Sequence, residues 1–174
     1  ILSAQVGGLV NASELANTLG VSKSSIDNYL YVMQKSFHIK LISPFYKNIR
    51  KELSKTPKIY FLDLGLRNFL ADNFSPYDLR EDKGALLENA VFRQLINKYD
   101  LSDIKFWRDI QKHEVDFVIK EKEAIEVKAQ PSQFKERNYR IFMENYKNLN
   151  FKIITLGAKI ETVGECKITE VWNI

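Results

Sequence analysis

Apolar side chains recur every three or four residues in two stretches near the start of the chain, and this spacing predicts two helices. The first covers residues 13–19, with Ser13 as the expected N-cap and Gly20 as the left-handed C-cap. Ser22 is placed to cap the second helix, which runs to about residue 34. Two short helices joined by a tight turn are typical of a helix-turn-helix.

Two stretches that alternate in the period of strands follow, at residues 39–46 and 58–62, with a basic loop between them. A hairpin with a basic tip suits the phosphate backbone of DNA, so residues 1–75 are predicted to form a winged helix-turn-helix. A solvated loop between two core strands is the alternative. The side chains expected to face nucleic acid are Lys23, Ser24, Asn28, Lys47, Arg50 and Lys51.

A second domain is predicted over residues 84–174, after a short helix capped by Asp63 and a linker at residues 72–83. Its order of helix, three strands, helix and strand indicates an α+β or α/β domain with a mixed central sheet. The predicted ranges are a helix at 84–99, strands at 104–108, 114–119 and 124–129, a helix at 133–148, and strands at 151–156 and 168–172.

Composition and charge narrow the class of protein without changing this layout. The 174 residues are 45% hydrophobic, which argues against a disordered chain, and no apolar run reaches the length of about 18 residues that a membrane span needs. Residues 1–80 carry ten Lys/Arg against six Asp/Glu, whereas residues 81–174 carry sixteen of each. The net charge of +4 therefore lies in the first half, where it favours either a nucleic-acid partner or a solvated basic surface.

Two further features bear on where the protein acts. The single cysteine, Cys166, excludes an internal disulfide and fits a reducing cytoplasm. The chain opens at Ile1 in a sequence typical of the middle of a helix, so we expect it to be a piece of a longer protein.

The first candidate site residue is Glu88, which lies on the apolar stripe of the predicted helix at 84–99. A carboxylate on such a face is costly unless it is paired with a base or binds a cation. Glu126 and Lys128 are two residues apart and share a face of their strand. Asp116, on the preceding strand, joins them only if the hairpin loop has three residues, because a two-residue loop would place it on the opposite face. We predict the odd-length loop or an equivalent bulge.

These residue types can cleave phosphodiesters. Mg²⁺ prefers oxygen ligands and keeps several waters, so Asp116, Glu126 and the backbone carbonyl of Val127 are the expected ligands, with Mn²⁺ as a substitute. Glu88 is expected to reach the ion directly or through a water. The ion would neutralise the scissile phosphate and acidify a water, while Lys128 would orient or deprotonate that water or stabilise the transition state. The predicted catalytic set is therefore Glu88, Asp116, Glu126 and Lys128.

Five motifs resemble the C-terminal region of a large group of bacterial and archaeal AAA-type ATPases. They are Lys-Ile-Tyr-Phe-Leu-Asp-Leu-Gly-Leu-Arg (58–67), Leu-Leu-Glu-Asn-Ala-Val-Phe (86–92), Phe-Trp-Arg-Asp (106–109), His-Glu-Val-Asp-Phe-Val-Ile (113–119) and Ile-Glu-Val-Lys (125–128). In that group a P-loop ATPase domain precedes a winged helix and a PD-(D/E)XK, or restriction-endonuclease-like, domain of unknown function. In this chain Val115 stands where the superfamily name has proline.

The resemblance implies an upstream ATPase domain in the same protein and DNA as the partner. No Gly-x-x-x-x-Gly-Lys-Ser/Thr motif occurs in the 174 residues, so no ATP site is predicted within them. The leading hypothesis is a Mg²⁺-dependent nuclease. A catalytically silent domain of the same fold that binds nucleic acid or protein, and a plain winged-helix regulator with an appended α/β domain, are the alternatives.

Overall fold

A computed structural model describes residues 1–46, 56–157, 162–163 and 166–171. Among these residues, the first part of the chain has three helices and a two-stranded antiparallel sheet. In chain order these are α1 (Ala12–Leu19), α2 (Lys23–Lys35), β1 (Ile39–Ile42), β2 (Lys58–Phe61) and α3 (Leu64–Leu70). The predicted loop at 47–57, with Lys47, Arg50 and Lys51, lies largely outside the described residues.

The caps of the first two helices follow the sequence with one correction. The side chain of Asn11, rather than that of Ser13, caps α1 and accepts a hydrogen bond from the Ser13 N–H at 3.0 Å. The helix begins earlier than predicted because the asparagine oxygen already reaches the first free N–H groups. Gly20 adopts a φ of 66° at the C-cap, and Ser22 accepts from the Ser25 N–H at 3.1 Å, as predicted.

The first predicted strand is shorter than expected. β1 ends at Ile42, and the chain then leaves β2 to pair with the second sheet. The Phe45 N–H donates to the Phe106 carbonyl at 2.6 Å, and the Phe106 N–H donates to the Ser43 carbonyl at 3.2 Å. Pro44 has no N–H with which to continue the β1–β2 ladder, so the strand stops before it.

The predicted linker at residues 72–83 is packed against its neighbours instead of connecting the two parts loosely. A 3-10 turn at Tyr77–Leu79 leads to Arg80, which is buried. Asp82 accepts hydrogen bonds from both Arg80 and Arg67, and Arg67 also donates to the Ser3 carbonyl at 2.9 Å. Residues 72–83 therefore hold the helices of the first part against the start of the second.

The second part is a mixed α+β unit, and its described residues form a six-stranded sheet. Its strand order is β3-β4-β5-β6-β8-β7, parallel between β5 and β6 and between β6 and β8, and antiparallel elsewhere. The mixed sheet agrees with the prediction. The elements are α4 (Lys83–Leu95), β3 (Ile104–Arg108), β4 (Glu114–Ile119), β5 (Glu123–Lys128), α5 (Arg140–Asn145), β6 (Asn150–Thr155), β7 (Thr162–Val163) and β8 (Cys166–Glu170).

Two predicted helices are shorter than expected. α4 ends at Leu95 because the backbone tightens into three-residue turns, in which Asn97 N–H donates to the Gln94 carbonyl. The helix predicted at 133–148 is replaced by two 3-10 turns and the six-residue α5. Phe134 and Tyr139 stack with ring centroids 5.1 Å apart, and residues five apart cannot stack on one face of an α-helix.

The two faces of the sheet carry separate cores. On one face, Phe117, Ile125 and Val127 pack with α4 and with Tyr60 of β2. On the other face, a cluster of aromatic side chains from the α5 region covers Val118, Ala124 and Ile153. Among the described residues, no helix combines the length and the apolar character that crossing a membrane would require.

Asn89 joins α4 to the edge of β2. Its amide accepts from the Phe61 N–H and donates to the Phe61 carbonyl, both at 2.8 Å. The side chain therefore makes the two hydrogen bonds that the backbone of a neighbouring strand would make. We expect Asn89→Leu to lower the free energy of unfolding by roughly 2–4 kcal/mol, because it leaves two buried backbone groups unpaired. Urea unfolding measures this change, with Asn97→Leu at an exposed position as the matched control. A loss in Asn97→Leu as large as that in Asn89→Leu would contradict the bidentate pairing as the cause.

Candidate active site around Asp116

The β4–β5 hairpin fixes the position of Asp116 relative to Glu126. Three residues, 120–122, connect the strands, and Lys120 and Glu121 both adopt positive φ, at 50° and 54°. Phe117 pairs with Ile125, so the next residues along the strands, Asp116 and Glu126, lie opposite each other. The predicted odd-length loop is confirmed.

A bulge in β4 then turns Asp116 into the gap between the strands. The register with β3 shifts between Lys105 and Trp107, and Val115 and Val118 both pack on the α5 face although they are three residues apart. Beyond Phe117, in the direction of Asp116, backbone N–H groups of β4 and β5 donate to a carboxylate of the facing strand instead of to its backbone carbonyls. The Val127 N–H donates to Asp116 Oδ2 at 2.9 Å, and the Asp116 N–H donates to Glu126 Oε2 at 3.4 Å.

On the α4 side of Asp116, three carboxylates surround a lysine from the first part of the chain. Lys58 Nζ lies 2.6 Å from Glu114 Oε1, 3.1 Å from Glu88 Oε1 and 3.6 Å from Asp116 Oδ1. The Tyr60 hydroxyl donates to the same Glu88 oxygen at 2.6 Å. β2 therefore supplies a cation and a hydrogen-bond donor to a cluster of acids from α4 and β4.

The charged groups of this cluster strongly influence one another's pKa values. Burial and then the neighbouring Asp116 carboxylate raise the pKa of Glu88 to about 7, although Lys58 and Tyr60 act in the opposite direction. Burial alone would lower the pKa of Lys58, but Glu88, Asp116 and Glu114 outweigh it and hold that pKa above its usual value. Lys58 is 1% exposed and remains an ammonium at neutral pH.

On the α5 side, Glu126 is hydrogen-bonded by two donors. The Tyr139 hydroxyl donates to Glu126 Oε1 at 2.8 Å, and Lys128 Nζ donates to the same oxygen. Burial and the nearby Asp116 charge raise the pKa of Glu126 to about 8. The pKa of Lys128 is also raised, because the Glu126 and Asp116 carboxylates outweigh the effect of its burial.

A cleft of about 400 Å³ opens over these residues. It is lined by Gly84, Glu88, Asp116, Val127, Lys128, Ala129 and Gln133. Three of the four predicted catalytic residues thus border the cleft, and the fourth, Glu126, is buried beside it with 4% of its side chain exposed. Asp116 is the residue that contacts both sides of the site.

The acidic residues of the site are the candidate ligands for a divalent cation. No group of three Asp, Glu, His or Cys side chains within the described ranges is arranged to hold a metal ion. Mg²⁺ does not require three such ligands, because it is commonly bound through one or two carboxylates and several waters. The Asp116 N–H lies 3.4 Å from Glu126 Oε2, so these two acidic residues are neighbours at the point where β4 and β5 separate. Carboxylate oxygens are of the type that Mg²⁺ takes as ligands, which makes this pair the candidate position for the ion.

Four residues that the sequence did not indicate contribute to the site: Lys58, Tyr60, Glu114 and Tyr139. The sequence position of Lys58 indicates a paired charge, because lysine on a strand of otherwise apolar and aromatic residues is rarely buried without a partner. Its partners could not be identified, since they lie 30 or more residues away on other elements. Tyr139 lies in a segment predicted as one continuous helix.

The predicted nucleic-acid contacts on α2 are exposed. Lys23 pairs with Asp27 at 3.2 Å, Ser24 bonds the Ser22 hydroxyl at 2.8 Å, and Asn28 faces solvent. The same helix exposes large apolar side chains, Tyr29, Tyr31 and Val32, and borders a largely apolar groove of about 710 Å³. Basic and apolar surface therefore share one helix.

Comparisons with known proteins give families without an assigned activity. Residues 83–174 match a domain of unknown function (DUF4143), and residues 1–77 match a second domain of unknown function (DUF8612). The uncharacterized protein Rv2008c of Mycobacterium tuberculosis and the uncharacterized protein Mb2031c of Mycobacterium bovis are each 29% identical over 115 residues. The match covers 65% of this chain but 26% of each relative. No solved structure matches the chain significantly.

Proposed function

This chain belongs to the DUF4143 family of domains of unknown function, and from that premise and the geometry around Asp116 we propose that its second half is a metal-dependent phosphodiester-cleaving domain. The observation that carries the proposal is the convergence of Asp116, Glu126 and Lys128 at the point where β4 and β5 separate. A three-residue loop and a bulge are both needed to bring them there.

The coarse architecture supports a restriction-endonuclease-like fold for this half. A helix, three strands that form an antiparallel meander, a helical segment and a parallel strand follow in the order that the resemblance implies. Two helices and an antiparallel hairpin in the first half similarly support a winged helix-turn-helix, with Lys23, Ser24 and Asn28 on the face offered to DNA. Fold alone does not carry activity, so the proposal rests on the site.

We further propose that the chain is the nucleic-acid-engaging end of an AAA-type ATPase that works in the cytoplasm. The resemblance of five motifs supports this arrangement. The relatives are compatible with it, because the matched 115 residues cover 26% of their length and a further domain has room in the remainder. The ATP site of the whole protein would lie outside these 174 residues.

Asp116 and Glu126 would hold the ion, which would neutralise the phosphate and acidify a water when bound. The Val127 N–H keeps the Asp116 carboxylate oriented at the mouth of the cleft. Lys128 is charged at neutral pH, since its pKa is raised, so we assign it the stabilisation of negative charge on the phosphate rather than removal of a proton. Tyr139 keeps Glu126 beside Asp116.

A cleavage assay with a matched pair of lysine variants tests the proposal. We expect the native chain to nick supercoiled or single-stranded DNA with Mg²⁺ or Mn²⁺ and not with EDTA. Lys128→Ala should lose about 100-fold or more in rate, because removing one charge-stabilising donor has this effect in comparable sites. Lys122→Ala, in the exposed loop of the same hairpin, should cleave like the native chain. Equal rates in the two variants would contradict the assigned role.

A catalytically silent binding module is the second candidate. It is favoured by one specific observation, since Lys58 and Lys128 already neutralise part of the acid cluster without a metal. DNA binding by the native chain with no cleavage under any metal, and no binding of Mn²⁺ in calorimetry, would favour this candidate.

A further inference from the structure

Lys58 is the least expected member of the site, because it belongs to β2 in the first half of the chain. Its ammonium is surrounded by carboxylates from two different elements, Glu88 of α4 and Glu114 and Asp116 of β4, at 2.6 to 3.6 Å. With 1% exposure it cannot exchange these partners for water without local opening. A buried ammonium is retained only where several acids compensate for its loss of hydration.

The acids around Lys58 are held in place independently of it. The Tyr60 hydroxyl fixes one oxygen of Glu88, and the backbone of Gly7 lies against the other side of this carboxylate. A Cβ on Gly7 would come within 2.9 Å of Glu88 Oε2, and Gly7 also has a φ of +73°, so no other residue fits there without strain. Arg108 holds Glu114 through its second oxygen at 2.8 Å. The three carboxylates therefore define a cation position that does not collapse easily.

We propose that Lys58 permanently fills the cation position between Glu88, Glu114 and Asp116, so that the site binds one divalent ion fewer than its carboxylates would otherwise hold. The inference deepens the proposed function, on which it rests in treating the site as a metal site. Under this proposal the chain cleaves DNA with one bound ion, because the ammonium of Lys58 supplies the second positive charge. Lys58 acts as a positioning residue in this scheme and does not touch the substrate.

The physical reason is the charge that remains when Lys58 is removed. Methionine has nearly the length and volume of the lysine stem but no charge, so Lys58→Met leaves three carboxylates, one buried and two half-buried, without the cation between them. Such a set of oxygens favours a divalent ion, since repulsion among the acids is relieved when the ion enters.

Titration calorimetry with Mn²⁺ on the full chain tests this inference. We expect Lys58→Met to bind one more ion per chain than the native protein does. Lys58→Arg, which keeps a single positive charge, should bind the native number. Lys40→Met, on β1 directly opposite Tyr60, is the matched control and should also bind the native number. An identical number of ions in Lys58→Met and the native chain would overturn the proposal.

A second measurement uses the native protein, so that it does not depend on the folding of Lys58→Met. The ammonium of Lys58 should give a slowly exchanging signal in proton–nitrogen NMR because it is buried and paired. This signal should persist at saturating Mg²⁺. Its loss on addition of Mg²⁺ would show that the ion displaces Lys58 and would overturn the proposal.

The outcomes separate this inference from the proposed function. If the native chain binds no ion and cleaves no DNA while Lys58→Met gains one ion, the cleavage proposal fails and the role of Lys58 stands. If the native chain cleaves DNA and binds two ions at the site, the cleavage proposal stands and the role of Lys58 fails.

Discussion

Replacing Asp116 with asparagine is expected to lower metal-dependent DNA cleavage by at least about 100-fold and to leave the fold intact. The asparagine oxygen can still accept the hydrogen bond from the Val127 N–H, so the separation of β4 and β5 should persist. The negative charge that faces Lys58 on one side and Glu126 on the other is lost. The measurement is the rate of nicking of supercoiled DNA at saturating Mg²⁺, with circular dichroism as the check on folding.

The matched control for this variant is Asp103→Asn. Asp103 lies in the 3-10 turn before β3, and its carboxylate is 3.6 Å from the exposed Lys120, away from the cleft. We expect native cleavage rates from it. If Asp116→Asn cleaves DNA as fast as Asp103→Asn does, the site around Asp116 is not the catalytic one.

The second large effect concerns stability. Asp82→Ala is expected to lower the free energy of unfolding by roughly 3 kcal/mol at pH 7, because it removes the carboxylate shared by two buried guanidinium groups. Arg80 donates to both Asp82 oxygens, at 2.8 and 2.9 Å, and Arg67 donates to one of them. For a chain of this length the melting temperature should fall by about 2–4 °C for each kcal/mol. Asp78→Ala, in the adjacent exposed turn, should have little effect.

The same variant has a defined dependence on pH. Hydrogen bonds from Arg80, and then from Arg67, lower the pKa of Asp82 from 3.8 to about 2. A folded-state pKa below the unfolded one contributes stability that is complete above about pH 4 and is lost as the pH falls through 2. The difference between the native chain and Asp82→Ala should therefore shrink over this window. A difference that stays constant from pH 5 to pH 2 would contradict the pairing.

Local signals in the sequence were sufficient for most elements. The glycine C-cap of α1 and the serine N-cap of α2 depend on neighbours within a few residues, and the structure has both as predicted. The length of the β4–β5 loop was not fixed by local signals; it was predicted from the requirement that Asp116 and Glu126 share one face, and the structure has the three-residue loop. The predicted strand through Pro44 failed because its partner changes from β2 to β3, and pairing between distant strands is not encoded locally.

The part of the site that the sequence did not indicate consists of long-range contacts. Lys58 and Tyr60 reach Glu88 across 30 and 28 residues, and nothing in the spacing of charges specifies which acids a buried lysine will meet. Tyr139 lies within the helix predicted at 133–148, whereas its stacking on Phe134 requires the chain to break that helix. These residues were identified only from the packing.

The pairing of residues 43–45 with β3 also covers an edge of the larger sheet, and covered edges do not offer a template for aggregation. β3 is the outermost strand of the larger sheet, and its free edge would otherwise offer unpaired backbone groups to any passing strand. The chain that follows β1 bonds to Phe106 on this edge through both its N–H and its carbonyl. A polypeptide that started at residue 83 would lose this cover together with Lys58 and Tyr60. It would thus leave the edge of β3 unpaired and remove the ammonium that lies between Glu88, Glu114 and Asp116.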